Sequence, residues 1–164
     1  MKKFFVVGNP IEHSLSPVIH NYWLEKNNIN AKYEKKLLTK ENIPEIISSL
    51  KSGKINGINV TVPFKGDFIS FMDDLSDEAK QTNSVNTIYN LGEKLIGHNT
   101  DIAGVELAIR HFKYDINKKK ILIIGAGGVV PSILVALKRM GVGKIFLQNR
   151  TVDKAKKLIE FFPE

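Results

Sequence analysis

The sequence predicts an α/β protein, with an N-terminal mixed α/β domain followed by part of a doubly wound parallel sheet. Three observations carry this. Strand-like and helix-like stretches alternate from Phe4 onward, as they do when helices cover a sheet. The run Ile121-Leu122-Ile123-Ile124 is apolar on both faces, the pattern of a parallel strand covered by helices. It leads directly into Gly125-Ala126-Gly127-Gly128 and a helical pattern.

Each element follows in order from local pattern. Phe4 to Val7 is a short β-rich run ended by Gly8-Asn9-Pro10. Ser16-Pro17 then opens a helix to about Lys26, with serine in the capping position and proline at the first helical one. Lys32 to Leu38 reads as a strand, Lys40 to Leu50 as an amphipathic helix, and Ile55 to Val62 as a strand carrying polar residues. Residues 63–72 and 76–81 read as helical. Ser84 to Tyr89 and Lys94 to Gly97 form a hairpin around Asn90-Leu91-Gly92-Glu93, and Thr100 to Phe112 a helix. After polar Asn117-Lys118-Lys119-Lys120 a second unit runs as strand 121–124, helix 129–140, strand 144–148 and helix 152–161. A mononucleotide-binding half requires β-α-β-α-β, and this unit supplies β-α-β-α. The expected division is 1–101 for substrate binding and catalysis, 102–116 for a connecting helix and linker, and 117–164 for the partial second domain.

Composition limits the chemistry. With 43% hydrophobic and 25% charged residues among 164, the chain has the balance of a folded globular protein. It has no cysteine, which excludes disulfides, a thiolate nucleophile and a Cys-based zinc site. The formal charge of +7, from 24 Lys and Arg against 17 Asp and Glu, favours phosphate-bearing partners in general. The lysines are scattered over helix faces, so a solvated basic surface is preferred to nucleic-acid binding. The start, Met1-Lys2-Lys3-Phe4-Phe5-Val6-Val7, mimics a signal peptide, but its apolar run ends at Gly8, too soon for one. No apolar stretch approaches the ~20 residues of a membrane helix. The expectation is a cytoplasmic protein with no membrane partner.

Gly125-Ala126-Gly127-Gly128, between a strand and a helix, is the context in which backbone approaches a pyrophosphate at a helix N-terminus. The third glycine of the dinucleotide fingerprint is replaced by Val130, so helix and strand must pack differently there. The next strand ends at Asn149-Arg150-Thr151, where NAD-specific proteins place an acidic residue on the ribose 2′-hydroxyl. Arginine there suits a 2′-phosphate, which its forked guanidinium can bond in pairs. The expected cofactor is NADP on a Rossmann-like domain.

The polar clusters point to a small-molecule substrate. His13-Ser14-Leu15-Ser16-Pro17 offers two hydroxyls and backbone N–H groups at a helix start, a place to hold a carboxylate. Asn59 and Thr61 lie on a strand that would not bury them without polar partners, and Lys65 follows. Asn86 interrupts another apolar strand, and Asn99 and Asp101 lie at a strand-to-helix junction. His13 and His20 are read as packing or hydrogen-bonding residues, since no third metal ligand follows at a recognisable spacing.

These motifs together resemble shikimate dehydrogenase over essentially the whole chain. Gly8-Asn9-Pro10 with Ser14-Leu15-Ser16-Pro17 and His20-Asn21 is similar to the family's opening, implying that Ser14 and Ser16 bind the shikimate carboxylate. Asn59-Val60-Thr61-Val62-Pro63-Phe64-Lys65 resembles the family's most specific signature, implying Lys65 as the catalytic lysine and Thr61 as a substrate contact, with Asn59 in the same set. Val85-Asn86-Thr87 and Asn99-Thr100-Asp101 resemble the next two, making Asn86 a ligand for substrate hydroxyls and Asp101 the partner of Lys65. Gly125, Ala126, Gly127, Gly128 and Val129 resemble the NADP loop, and Asn149, Arg150 and Thr151 the 2′-phosphate clamp. Asp77 and Lys154 line the cofactor site by the same resemblance. The family pattern departs at Asn83-Ser84, where Gly-Ala is usual, and at Val129-Val130, where small residues are usual. The chain also lacks the family's C-terminal region, so the expectation is a fragment or a truncated gene product.

The implied reaction is reversible hydride transfer between NADPH and 3-dehydroshikimate, giving shikimate, a precursor of the aromatic amino acids. An ordinary lysine is charged at neutral pH and a carboxylate partner keeps it so. Lys65 is therefore read as donating to the reacting oxygen as the hydride arrives, with Asp101 orienting it. The alternatives are a quinate/shikimate dehydrogenase and an inactive truncated module that binds without turnover. A homodimer is a further expectation.

Overall fold

The computed structural model describes residues 1–161. The chain divides into two compact units, Met1–Asn99 and a second beginning at Thr100.

The first unit is built on a six-stranded mixed sheet. Its elements are β1 (Lys2–Gly8), α1 (Ser16–Lys26), β2 (Ala31–Leu37), α2 (Ile43–Lys51), β3 (Gly57–Val60), β4 (Asp74–Leu75), α3 (Asp77–Thr82), β5 (Thr87–Leu91) and β6 (Lys94–His98). The strand order is β2-β1-β3-β5-β6-β4. β1 runs parallel to β2 and β3, whereas β5 is antiparallel to β3 and β6. The alternation of side chains along β3 decides which face is which. Ile58 and Val60 enter the main core with Val7, Ile88 and Leu95. Asn59 lies between them and points to the other face.

α2 closes the main core because Ile43, Ile46, Ile47 and Leu50 recur at helical spacing and are all buried. Each such side chain contributes roughly 1.5–3 kcal/mol on burial. The helix begins after a short 3₁₀ turn at Lys40–Asn42, with Pro44 in its first turn, so the α-helical part starts later than position 40. The opposite face carries a smaller cluster of Val6, Ile11 and Tyr33, with Phe4 and Leu24 packed on it.

Residues 63–72 are not one helix but two 3₁₀ turns, Phe64–Gly66 and Ile69–Phe71, followed by the short β4, which sequence pattern did not reveal. Phe64 and Phe68 are buried. Both belong to the main core, so the segment lies against it. Ser16 is the first residue of α1 rather than its cap, which is Leu15. The expected strand at 55–62 is confined to Gly57–Val60.

The second unit holds α4 (Asp101–His111), β7 (Lys120–Ile124), α5 (Val130–Arg139), β8 (Lys144–Gln148) and α6 (Val152–Phe161). β7 and β8 pair in parallel. Ile121, Ile123, Ile145 and Leu147 face a core with Ile109 of α4, Leu137 of α5 and Leu158 of α6. The two-faced burial expected of 121–124 does not occur: Leu122 is 56% and Ile124 79% exposed. A two-stranded sheet with its helical cluster on one face leaves the alternate residues in solvent. Val130, in place of the third glycine, is buried with Ile123 and Leu137, so an apolar contact makes the helix-to-strand packing there.

Candidate functional site

In the first unit, the ends of β1 and β3 and the loop that follows β1 form a small cleft of about 270 Å³. Ser14, Ser16 and Thr61 line it together with Pro10, Ile11 and His13. The strand ends are laced by backbone hydrogen bonds, Thr61 N–H to the Val7 carbonyl at 2.9 Å and Asn9 N–H to the Val62 carbonyl at 3.0 Å. Gly8 permits this approach, since a Cβ there would stand 2.5 Å from Thr61 Cγ2. The serine loop closes on itself, with Ser14 N–H donating to the Ile11 carbonyl at 3.0 Å and Ser16 N–H donating to Ser14 Oγ at 3.3 Å. Three hydroxyls therefore meet in one concavity. Beside it Lys35 donates to the Glu12 carbonyl, and backbone N–H groups of Glu12 and Ile11 hold the Glu12 carboxyl below the usual range.

Lys65 sits, half-buried, in the 3₁₀ turn after Thr61, whose carbonyl accepts the Phe64 N–H at 3.1 Å. The Lys65 carbonyl accepts the Val85 N–H at 2.8 Å, which ties the lysine turn to the strand entrance carrying Asn86. Asn86 is buried, with its own N–H donating to the His98 carbonyl at 3.0 Å.

Asn59 is engaged on both ends of its carboxamide. Oδ1 accepts from the Tyr33 phenol at 2.6 Å. Nδ2 donates to the Asn86 carbonyl at 3.2 Å and to Thr87 Oγ1 at 3.0 Å. Thr87 Oγ1 in turn donates to Asn86 Oδ1 at 3.0 Å. Tyr33, which sequence pattern did not single out, is thereby joined to the polar set. It is 4% exposed, and burial pushes its phenol well above the usual range. His20 stacks on it with ring centroids 4.1 Å apart, and burial lowers the imidazole below its usual value.

Asn99 is a structural residue of this unit. It is 1% exposed, and its Nδ2 donates to Thr82 Oγ1 and to the Ser84 carbonyl, both at 3.0 Å. The departures at 83 and 84 have physical consequences. Asn83 is the C-cap of α3 at φ 47°, ψ 43°, a left-handed conformation that glycine adopts most easily and asparagine next. Ser84 is buried, and its Oγ has no hydrogen-bond partner among the described residues. Asp77 is exposed in the first turn of α3, whose cap is Ser76 Oγ accepting the Ala79 N–H at 3.2 Å.

In the second unit, Asp101 is the first residue of α4, after Thr100. The glycine turn follows β7, with Gly125 at φ 113°, a conformation open to glycine. Its N–H donates to the Gln148 carbonyl at 2.7 Å. Gly125, Gln148, Asn149 and Arg150 line one open cleft of about 500 Å³. Gly127 and Gly128 would meet nothing within 4 Å if they carried a Cβ. Asn149 Nδ2 donates to the Thr151 carbonyl at 2.7 Å and Lys154 N–H to the same carbonyl at 3.2 Å. Ala126 and Val129 belong to the same turn, Val129 as the cap of α5. An exposed guanidinium beside a glycine turn at a helix start fits a phosphorylated dinucleotide.

Among the described residues no group of three or more His, Asp or Glu is placed to hold a metal, and no helix is long and apolar enough to cross a membrane.

Comparison with known proteins places both units. Residues 6–88 match the family model described as the shikimate dehydrogenase substrate binding domain. Residues 106–164 match that described as shikimate / quinate 5-dehydrogenase. A shikimate dehydrogenase (NADP(+)) of Pelagibacter ubique is 52% identical over 163 residues, covering 99% of this chain and 62% of the relative. The crystal structure of shikimate dehydrogenase from Aquifex aeolicus superposes with a TM-score of 0.93 at 37% identity, over 99% of this chain and 61% of that one. The Thermus thermophilus enzyme, solved in complex with NADP(H) and shikimate, gives a TM-score of 0.89 at 31% identity, over 99% and 61%. The chain thus spans about three-fifths of the length of these relatives.

Proposed function

The chain belongs to the shikimate dehydrogenase family, and on that premise we propose that the protein is an NADP-dependent shikimate dehydrogenase, reversibly reducing 3-dehydroshikimate to shikimate. The observation that carries this is the convergence of Ser14, Ser16 and Thr61 on one cleft in the unit that matches the family's substrate-binding model. Three hydroxyls lining one concavity suit a carboxylate.

In this reading Ser14, Ser16 and Thr61 hold the substrate carboxylate, Asn86 and Asp101 bind its ring hydroxyls, and Lys65 donates a proton to the carbonyl oxygen. NADPH, when bound, supplies the hydride to the carbonyl carbon. Gly125, Ala126, Gly127, Gly128 and Val129 would hold its pyrophosphate. Arg150, with Asn149, Thr151 and Lys154, would hold the 2′-phosphate, and Asp77 would complete the cofactor set. Substrate-binding and catalytic residues fall within 1–101 and the cofactor turn within 117–164, with 102–116 connecting them. The reading carries a cytoplasmic location, where NADPH is supplied, and a homodimer, for which the exposed apolar residues Val18, Tyr22 and Trp23 of α1 are the support.

The test is calorimetric titration of the purified protein with shikimate, followed by an NADPH-oxidation assay with 3-dehydroshikimate. Binding that is lost in Ser14→Ala, with turnover faster on NADPH than on NADH, is the expected result. Absence of any response to shikimate overturns the substrate assignment, and binding without turnover leaves the chain as a binding module.

A further inference from the structure

The hydrogen-bond ladder under Asn86 has a direction. Tyr33 has one phenolic proton, and at 2.6 Å it goes to Asn59 Oδ1. That fixes the Asn59 amide nitrogen on the far side, where it donates to the Asn86 carbonyl and to Thr87 Oγ1. Thr87, having accepted there, directs its single proton to Asn86 Oδ1. Rotating the Asn59 carboxamide by half a turn would set its oxygen against the Asn86 carbonyl. It would also draw the Thr87 proton away from Asn86. Two contacts oppose that rotation: the Asn86 carbonyl, which would face an oxygen, and the Tyr33 hydroxyl, whose proton would lose the Asn59 Oδ1 acceptor.

We propose that Tyr33 is a positioning residue for the substrate site, its hydroxyl setting the Asn59 and Thr87 hydrogen bonds that orient the Asn86 carboxamide. The inference rests on the shikimate-binding reading of Asn86, and it assigns Asn59 an interior role instead of a substrate contact. Three features make Tyr33 suited to this. It is buried, its ring is clamped by the stacked His20 and the backbone carbonyl and N–H of Tyr33 are held by Asn21 at 2.8 and 2.9 Å.

The experiment compares ¹⁵N-labelled wild-type protein with Tyr33→Phe and Thr87→Val, reading side-chain amide cross-peaks without ligand and then titrating shikimate. In Tyr33→Phe the Asn59 and Asn86 amide signals are expected to move while those of Asn21, whose bonds to the backbone of residue 33 remain, stay in place. The shikimate Kd is expected to rise about tenfold. Thr87→Val is expected to move Asn86 and weaken shikimate by a similar factor with Asn21 again unchanged. An Asn86 signal that stays fixed in Tyr33→Phe overturns the proposal, as does an unchanged Kd. A wild-type protein that ignores shikimate overturns the substrate reading, and the ligand-free shift of Asn86 still decides the ladder.

Discussion

Val85 N–H donates to the carbonyl of Lys65 at 2.8 Å, so a single backbone bond locks the turn that carries the lysine to the residue before Asn86. Substitution of the Lys65 side chain leaves that bond intact. Phe64, 4% exposed, continues to anchor the turn. Lys65→Ala is therefore expected to fold normally and, under the proposed mechanism, to lower kcat by roughly a hundredfold to ten-thousandfold with a far smaller change in KM. Steady-state kinetics with NADPH and 3-dehydroshikimate check this, and an unchanged kcat removes Lys65 from the chemistry.

Ser84 and Asn99 lie in the same buried polar cluster with opposite consequences. Asn99 Nδ2 serves both Thr82 Oγ1 and the Ser84 carbonyl, so Asn99→Ala is expected to cost about 1–3 kcal/mol by leaving them without that donor. The Ser84 hydroxyl has no partner among the described residues, and Ser84→Ala is expected to stabilise by about 1 kcal/mol. Urea unfolding midpoints measure both. If Ser84→Ala lowers the midpoint, the hydroxyl is hydrogen-bonded in solution and the assignment of an orphaned oxygen fails.

Much of this was legible in sequence where local chemistry is decisive. Pro17 marks the start of α1, Gly8 the tight end of β1, and the polar residues Ser14, Ser16 and Thr61 stand out from an apolar background; these three do share a cleft. What was not legible depends on partners distant in the chain. Asn59 reads as a polar side chain that a buried strand carries only with partners, but local pattern does not name the partner, Tyr33, which stands 26 positions away. Residues 63–72 have enough apolar residues for a helix, yet they form two separate 3₁₀ turns, Phe64–Gly66 and Ile69–Phe71, a break that apolar content does not signal. The run 121–124 reads as covered on both sides, whereas its burial follows the number of strands and helices around it, which local pattern does not carry.

His20 makes stability depend on pH. Stacked on Tyr33 and edge-on to Trp23 at 5.5 Å, its imidazole has a pKa lowered by burial, so the folded state holds it neutral where the unfolded chain would protonate it. The unfolded state binds more protons between the lowered folded value and the ordinary 6.5, and there stability rises with pH. The contribution is complete above the ordinary value, declines as pH falls from there to the folded value, and is constant below both. Thermal melting between about pH 7.5 and 5 is expected to show a falling Tm, bracketing the ordinary imidazole value. His20→Phe keeps a ring on Tyr33 but cannot titrate, so its Tm is expected to fall less over the same range. An identical slope in the two proteins would place the pH dependence elsewhere in the molecule.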